Sequence, residues 1–470
     1  MSSEENLQSN RKRRPLLAEH LSPEFALIDH FFSPVNQGMS VNGQYHSTVK
    51  QTFEHTLVIG STGAGKSTKI IIPSLFKMEG SFVVHDPSKE ILDILEMDLI
   101  RRGYRIEVLN FSEPGSGYNP LRQIKEDSDF HLLADLLVRA NKQIKSSEQH
   151  WTSRATELIA AMLHLVLKME GREATLVNVR KLLLEAIQDT DKVERLFEEH
   201  GDCDPTLSFK ALTKNRTNEL SSIFSTASDA LKDFANPSIA QVTSMHDIDL
   251  SRLRSEKTAL FIQNSPNRSH LYTKLISIFF EQLWLHSMEK LPNDSDQNLF
   301  VIIDEAASLF LPTLPYKIDK ARKYRIGILL AVQSLQQLQT AYGNDASVIE
   351  DNCNTHIFLG SQKGETAEKL ERALGRKNGK GGNSGFRLPR EKVRMMGKDT
   401  TLILCNGMPP ILEKNVAYFE NPNLSHLRKR KVEPEFNAST KMDESAEQSE
   451  KEPWADMDKE PDWNSIDFYL

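Results

Sequence analysis

Apolar and polar positions divide the chain into stretches of different period. Residues 1–50 are polar, with a basic cluster at Arg11–Arg14 and no sustained period, so a loosely structured, flexible segment is expected there. From His55 the pattern changes. His55–Gly60 (HTLVIG) is a short apolar run that closes on glycine, which predicts a buried strand entering a turn. Lys66–Met78 predicts a helix, Ser81–Asp86 a strand, Ser88–Arg101 a helix and Tyr104–Phe111 a strand. Strands alternating with helices predict a mostly parallel sheet with helices on both faces, an α/β fold.

From Arg122 to Asp247 the strand pattern stops. Phe130–Lys145, Arg154–Leu167 and Thr175–Ile187 carry helical periods. Strand-like runs return at Thr258–Gln263, Asn298–Asp304, Ile326–Val332, Thr355–Gly360 and Thr400–Cys405, and Val416–Phe419 reads as one more edge strand. The expected organisation is therefore an α/β domain over 51–121 and 248–425, interrupted by an all-α domain over 122–247. Lys377–Gly385 (KNGKGGNSG) is too rich in glycine for a helix and predicts a loop. Residues 426–470 turn acidic and lose apolar periodicity, which predicts a disordered tail ending in the aromatic patch Trp463 to Tyr469.

The chemistry sits at strand ends. Gly60–Ser67 reads GSTGAGKS, the G-x-x-x-x-G-K-S/T phosphate loop. Gly60, Gly63 and Gly65 let the backbone fold tightly round phosphates, and Ser61, Thr62 and Ala64 complete the cradle of main-chain N–H groups. Lys66 is expected to reach the β- and γ-phosphates of ATP, Ser67 to ligate Mg²⁺, and Thr68 to meet the α-phosphate. The helix that begins there points its positive end at the anion. Leu299–Glu305 (LFVIIDE) is an apolar run ending in two acids, as for a buried strand that stops at the edge where open α/β sheets bind ligands. Asp304 is expected to hold Mg²⁺ through water, and Glu305 to polarise the attacking water. Ile328–Ser334 (ILLAVQS) ends a further strand in Gln333, a candidate sensor of the γ-phosphate, with Ser334 available to cap the next helix. Arg322, Arg325, Arg372 and Arg376 are candidates for a charge-stabilising arginine supplied to a neighbouring subunit, and none stands out. His85 beside Asp86, and His150 beside Trp151, are read as structural or solvated, so no metal other than Mg²⁺ is expected.

Composition narrows the setting. With 470 residues, 39% hydrophobic and 26% charged, the chain has room for a large core. Three cysteines with no CxxC pair fit a reducing compartment. No run of 18 apolar residues occurs, so no membrane span is expected, and no apolar stretch follows Arg11–Arg14 to make a secretory signal. The net charge of −7 averages unlike parts: residues 431–470 hold 12 acidic and 4 basic side chains, leaving +1 on residues 1–430. Such a body is not a strongly basic nucleic-acid binder, but suits a motor that grips phosphates locally, within a pore.

The ordered motifs between Thr56 and Pro422 resemble the cytoplasmic ATPase part of the type IV secretion coupling proteins, the TraG/TraD-type conjugative DNA transfer family. Pro73-Ser74-Leu75 resembles the family's I-P-S/T-L, and Val84-His85-Asp86-Pro87-Ser88-Lys89-Glu90 its V-x-D-P-K-G-E. Tyr118-Asn119-Pro120-Leu121 resembles its F/Y-N-P-L, just before the inserted helices. Asp304-Glu305 and Gln333-Ser334 match its acidic motif and sensor. Asp351-Asn352-Cys353-Asn354-Thr355, Glu365-Thr366-Ala367 and Leu374-Gly375 resemble its D-N-x-x-T, E-T-A and L-G series, and Met408-Pro409-Pro410-Ile411 its closing G-x-P-P-I.

The resemblance implies a RecA-like P-loop NTPase with an inserted all-α domain, assembled as a homo-hexameric ring. It implies use of ATP and Mg²⁺ to deliver single- or double-stranded DNA with its bound relaxase, or effector proteins, to secretion-channel components at the bacterial inner membrane. The all-α domain and the acidic tail would share in recognising the relaxosome or other substrates. Two departures stand out. Family members usually begin with transmembrane helices, whereas no membrane span is expected here, so this chain is expected to work in the cytoplasm and to reach the membrane through partners. Ser88 and Lys89 also stand where the family has Lys and Gly. Two other readings fit the same motor fold: an ATP-regulated recruitment platform that does not pump DNA, and a chromosome-type DNA translocase or packaging ATPase. The helical insertion and the D-N-x-x-T and E-T-A series argue against the last.

Overall fold

The computed structural model describes residues 25–113, 115–139, 149–214, 218–376 and 386–427. The loop expected at Lys377–Gly385 and all of the acidic tail but His426 and Leu427 lie outside them; Leu427 is buried rather than loose. Among the described residues the short apolar runs form nine strands: Thr56–Ile59 (β1), Ser81–His85 (β2), Arg105–Asn110 (β3), Thr258–Gln263 (β4), Leu299–Ile303 (β5), Ile326–Val332 (β6), Thr355–Leu359 (β7), Thr400–Cys405 (β8) and Ile411–Lys414 (β9). They join one sheet in the order β3-β4-β2-β5-β6-β1-β7-β8-β9. The first seven in that order are parallel, while β8 and β9 are added antiparallel. The central strands are buried on both faces, because side chains alternate between two apolar layers. Leu57 and Ile59 enter one layer and Val58 the other. Phe300 of β5 anchors the second layer, stacked on Phe53 and tilted against Phe82, each with ring centroids 6.0 Å away. In register, Ile59 lies beside Val332, and Leu330 beside Ile303, so β5, β6 and β1 end at a common edge.

Between β3 and β4 the described residues form helices and no strand, the longest being Gln149–Glu170. Polar side chains start several of them. The Thr175 hydroxyl accepts from the Asn178 N–H, and the Asp189 carboxylate from that of Lys192. Entry to and exit from this block are tied at one seam. Gly117 N–H donates to the Asp247 carboxylate at 2.8 Å, Asp247 N–H returns a bond to the Gly117 carbonyl at 2.9 Å, and Tyr118 N–H meets the Val242 carbonyl at 2.8 Å. The buried Tyr118 hydroxyl donates to Gln282 on the helix Ser269–Ser287, and Asn119 reaches back to the Ala174 carbonyl. The Tyr-Asn-Pro-Leu motif is thus the fastening between the helical block and the sheet. Among the described residues no helix is long and apolar enough to cross a membrane.

Two expectations need correction. The loose segment expected over residues 1–50 does not describe residues 25–47. Ile28, Phe32, Met39 and Val41 are buried in the same layer as Phe300, and Ser40 N–H bonds to the Ser74 hydroxyl at 2.8 Å. Those apolar residues are too widely and irregularly spaced to show a helical or strand period. Val416–Phe419 is not an edge strand either. Its main chain is spent elsewhere: Val416 N–H bonds to the Asn42 carbonyl and Tyr418 N–H to the Thr68 carbonyl. The edge strand is Ile411–Lys414 instead.

Gly43 marks where these two segments meet. It has φ +90°, and a β carbon there would lie 1.8 Å from the Val416 carbonyl oxygen. Gly43→Ala is expected to cost about 3 kcal/mol in urea unfolding, against about 1 kcal/mol for Gly103→Ala, which has positive φ but open space. A pH effect follows from two buried histidines. Burial, then the Lys77 charge, lowers the His46 pKa to about 4, and burial does the same at His55, whose Nε2–H donates to the Ile318 carbonyl. The unfolded chain takes up these protons near pH 6.5 and the folded chain only near 4. Their contribution to stability is therefore full above pH 6.5 and lost as pH falls toward 4. His46→Gln should flatten the slope of unfolding free energy against pH in that window, measured by urea titration at each pH.

Candidate functional site

The phosphate loop leaves β1 at the sheet edge it shares with β5 and β6. Gly60 N–H donates to the Val332 carbonyl at 3.1 Å, which moors the loop to β6. A β carbon at Gly60 would press within 3.1 Å of the Ala64 β carbon and 3.2 Å of that of Leu359. Gly63 and Gly65 take φ +76° and +95°, conformations open to glycine. Ser61 and Thr62 stand exposed at the tip. Lys66–Ile71 then winds as a π-helix before Ile72–Lys77 continues as an α-helix. The Lys66 ammonium is buried and donates to the Gly60 carbonyl at 2.9 Å, folding the side chain back over the loop. The Thr68 hydroxyl lies 3.4 Å from the Gly65 carbonyl.

The acids arrive from β5. The Ser67 hydroxyl donates to Asp304 Oδ2 at 3.0 Å, and Glu305 N–H to Asp304 Oδ1 at 3.1 Å. Burial pushes the Asp304 pKa up, and the Ser67 bond and the Lys66 charge oppose that. Glu305 is exposed and has φ +58°, an uncommon conformation for a side-chain-bearing residue. Glu305, Ser308, Gln333, Gln337 and Thr340 line one open cleft of about 310 Å³. Ser334 caps the helix Leu335–Tyr342 by accepting from Gln337 N–H, which leaves Gln333 at the cleft. The structure thus brings Lys66, Ser67 and Asp304 into direct proximity, and Glu305 and Gln333 onto one wall. Ser67 and the half-buried carboxylate of Asp304 offer hard oxygen donors side by side, which suits a magnesium ion. The loop amides and Lys66 suit phosphates.

Gln362 and Lys69, at this edge, are not singled out by the sequence, whereas Asp86 and Lys89 are. The Gln362 amide is buried and donates to the Leu359 carbonyl at 3.0 Å, close to those of Gly360 and Ile59, bracing the start of the loop from β7. Lys69 donates to the Lys398 carbonyl at 2.8 Å. Asp86 is fully buried, and its Oδ2 accepts from Ile91 and Leu92 N–H, both at 3.1 Å, so it holds the start of the helix Glu90–Arg101. Burial raises its pKa, and these bonds oppose the rise. Lys89 sits at φ +61°, and its ammonium bonds to Glu113 at 2.7 Å. The position that carries glycine in the resembled motif is thus one where the backbone turns left-handed.

The four candidate arginines have other partners. Arg322 pairs with Glu54 at 3.2 Å, and Arg325 bonds to the Asn293 and Asp296 carbonyls. Both precede β6, at the sheet edge opposite the phosphate loop. Arg372 pairs with Glu368, and Arg376 lies over the Phe386 ring. His150 bonds to Glu219 at 3.0 Å on the helical block.

Comparison with known proteins places the chain by family and fold. The family described as Type IV secretory system Conjugative DNA transfer matches residues 16–380. Protein VirD4 of Rhizobium radiobacter is 24% identical, over 80% of this chain and 59% of that protein. Conjugal transfer protein TraG of Escherichia coli is 26% identical, over 81% of this chain and 64% of that protein. The chain therefore spans under two thirds of the length of these relatives. The solved structure of the plasmid coupling protein TrwB in complex with ADP and Mg²⁺ is similar with a TM-score of 0.67 and 19% identity, covering 84% of this chain and 90% of that one. The fold is that of a RecA-like P-loop NTPase.

Asp304 carries a desolvation cost that grows as pH rises past the ordinary carboxylate range, since the folded state holds its proton more tightly than the unfolded state. Asp304→Asn should therefore stabilise the ligand-free protein by roughly 1 kcal/mol at neutral pH. The same variant should lose the extra stabilisation that Mg²⁺ adds to a bound nucleotide. Thermal unfolding with and without Mg²⁺-nucleotide measures both.

Proposed function

Because the chain belongs to the Type IV secretory system conjugative DNA transfer family, we propose that it is an ATP-hydrolysing coupling protein, which delivers DNA as relaxase nucleoprotein, or effector proteins, to a secretion channel. The observation that carries this reading is the meeting of Lys66, Ser67 and Asp304 at one sheet edge, with Glu305 and Gln333 on the adjoining cleft. A phosphate loop alone serves many binding proteins. A phosphate loop with a carboxylate poised over an open cleft is equipped to hydrolyse.

Each residue has a distinct task in this reading. The main-chain N–H groups from Ser61 to Thr68 bind the phosphates, with Gly60, Gly63 and Gly65 giving them the tight path. Lys66 exchanges the Gly60 carbonyl for the β- and γ-phosphates, a partner of opposite charge. Ser67 and Asp304 would hold Mg²⁺, which neutralises phosphate charge when bound. Glu305 accepts a hydrogen bond from the attacking water and takes its proton. Gln333 bonds to the γ-phosphate or to that water, reporting hydrolysis to β6 and the helix after it. TrwB, solved with ADP and Mg²⁺, supports the choice of ligands.

The helical block, residues 122–247, and the acidic tail are read as the parts that recognise substrate. The motor is read as a hexameric ring in the cytoplasm, held at the inner membrane by channel components, with the arginine supplied across the ring interface.

DNA-stimulated hydrolysis is the test. The full chain with Mg²⁺-ATP should hydrolyse several-fold faster when single- or double-stranded DNA is added. Lys66→Ala should lower kcat more than about 100-fold under either condition. Hydrolysis that ignores every DNA offered would instead favour an ATP-regulated recruitment platform.

A further inference from the structure

His85 closes β2, beside Ile303 of β5 in the parallel register. It is 3% exposed, and its Nδ1 lies 2.8 Å from the main-chain oxygen of Asp304. A carbonyl oxygen only accepts, so Nδ1 carries the proton and donates it. This carbonyl belongs to the peptide unit that joins Asp304 to Glu305. On the other side, the Ser308 N–H and the Ser308 hydroxyl both donate to the Glu305 carbonyl at 2.8 Å. Between these two anchors Glu305 holds its left-handed φ of +58°. A residue with a β carbon stays in that region only where its surroundings impose it. Freed of the His85 bond, the Asp304–Glu305 peptide unit can turn toward an ordinary conformation and carry the Glu305 carboxylate away from the cleft it shares with Gln333. The resemblance leaves the His85 position variable, so nothing in the motif assigns it a task.

We propose that His85 is a positioning residue for hydrolysis: its Nδ1–H bond to the Asp304 carbonyl holds Glu305 in the conformation that presents its carboxylate to the attacking water. The proposal rests on the reading of Glu305 as the catalytic base.

Three variants of the full chain test it, with kcat and KM for Mg²⁺-ATP and the affinity for a non-hydrolysable ATP analogue as readouts. His85→Leu fills part of the ring's volume and has no donor. His85→Asn places an amide nitrogen near the position of Nδ1, whereas His85→Gln places it nearer Nε2. Leu and Gln should lower kcat about tenfold to 100-fold while KM and analogue affinity stay within about twofold, and Asn should recover most of kcat. In a Glu305→Gln background, His85→Leu should lower kcat no further. Equal losses in Asn and Leu, a loss confined to KM, or an additive loss in the Glu305→Gln background would each overturn the proposal. Should His85→Leu fail to fold, the contrast between Asn and Gln decides by the same criteria. A wild-type chain that hydrolyses no ATP overturns the underlying reading of the site. A wild-type chain that hydrolyses, with His85→Leu fully active, overturns the positioning role alone.

Discussion

A carboxylate drawn partly out of water needs compensating partners, and the site is built round that demand at Asp304. The group sits at the end of β5, with the Ser67 hydroxyl on one oxygen, the Glu305 N–H on the other, and the Lys66 charge nearby. These partners offset only part of what burial costs, so its pKa stays raised. A divalent cation would supply the remainder. The parallel alignment of β5, β6 and β1 makes the arrangement possible, because their common edge delivers an acid, a glutamine and a phosphate loop within reach of one another. Parallel strands ending together are a property of the sheet, so chemistry at this edge depends on packing far below it, including Phe300 between Phe53 and Phe82.

The rest of the fold serves that edge from two directions. The helical block is inserted between β3 and β4, and its entry and exit are clasped at Gly117, Tyr118 and Asp247. The clasp lets the block share a core with one face of the sheet. On the other face, residues 25–47 and the stretch after β9 wrap the helix that follows the phosphate loop, through Ser40 to Ser74 and Tyr418 to Thr68.

Most of the sheet could be read from the sequence, because a strand buried on both faces shows as an unbroken apolar run. The runs ending at Ile59, Ile303 and Val332 are of this kind, and the phosphate loop and the acids follow directly from them. What could not be read was carried by contacts distant in sequence. Residues 25–47 pack through scattered side chains such as Ile28, Phe32 and Met39, and no period betrays them. Val416–Phe419 has strand-like composition, but its N–H groups bond to Asn42 and Thr68 instead of a neighbouring strand. Gln362, and the donor role of His85, were hidden for a related reason. A single polar residue at a strand end looks the same whether it faces solvent or holds a carbonyl of its own or a neighbouring strand. Lys89 is a further case: it stands where the resembled motif has glycine, yet nothing in the lysine itself announced its left-handed φ of +61°.

In the proposed mechanism Lys66, Ser67, Asp304 and Glu305 form one nucleotide-hydrolysing site. An experimental structure of the full chain with a non-hydrolysable ATP analogue and Mg²⁺ tests this most directly. The expected result has the Lys66 ammonium moved from the Gly60 carbonyl to the β- and γ-phosphates, the metal beside Ser67 and Asp304, and a water between the γ-phosphate and Glu305. A nucleotide bound elsewhere, or bound here with Lys66 still on Gly60 and Glu305 turned away, would contradict it.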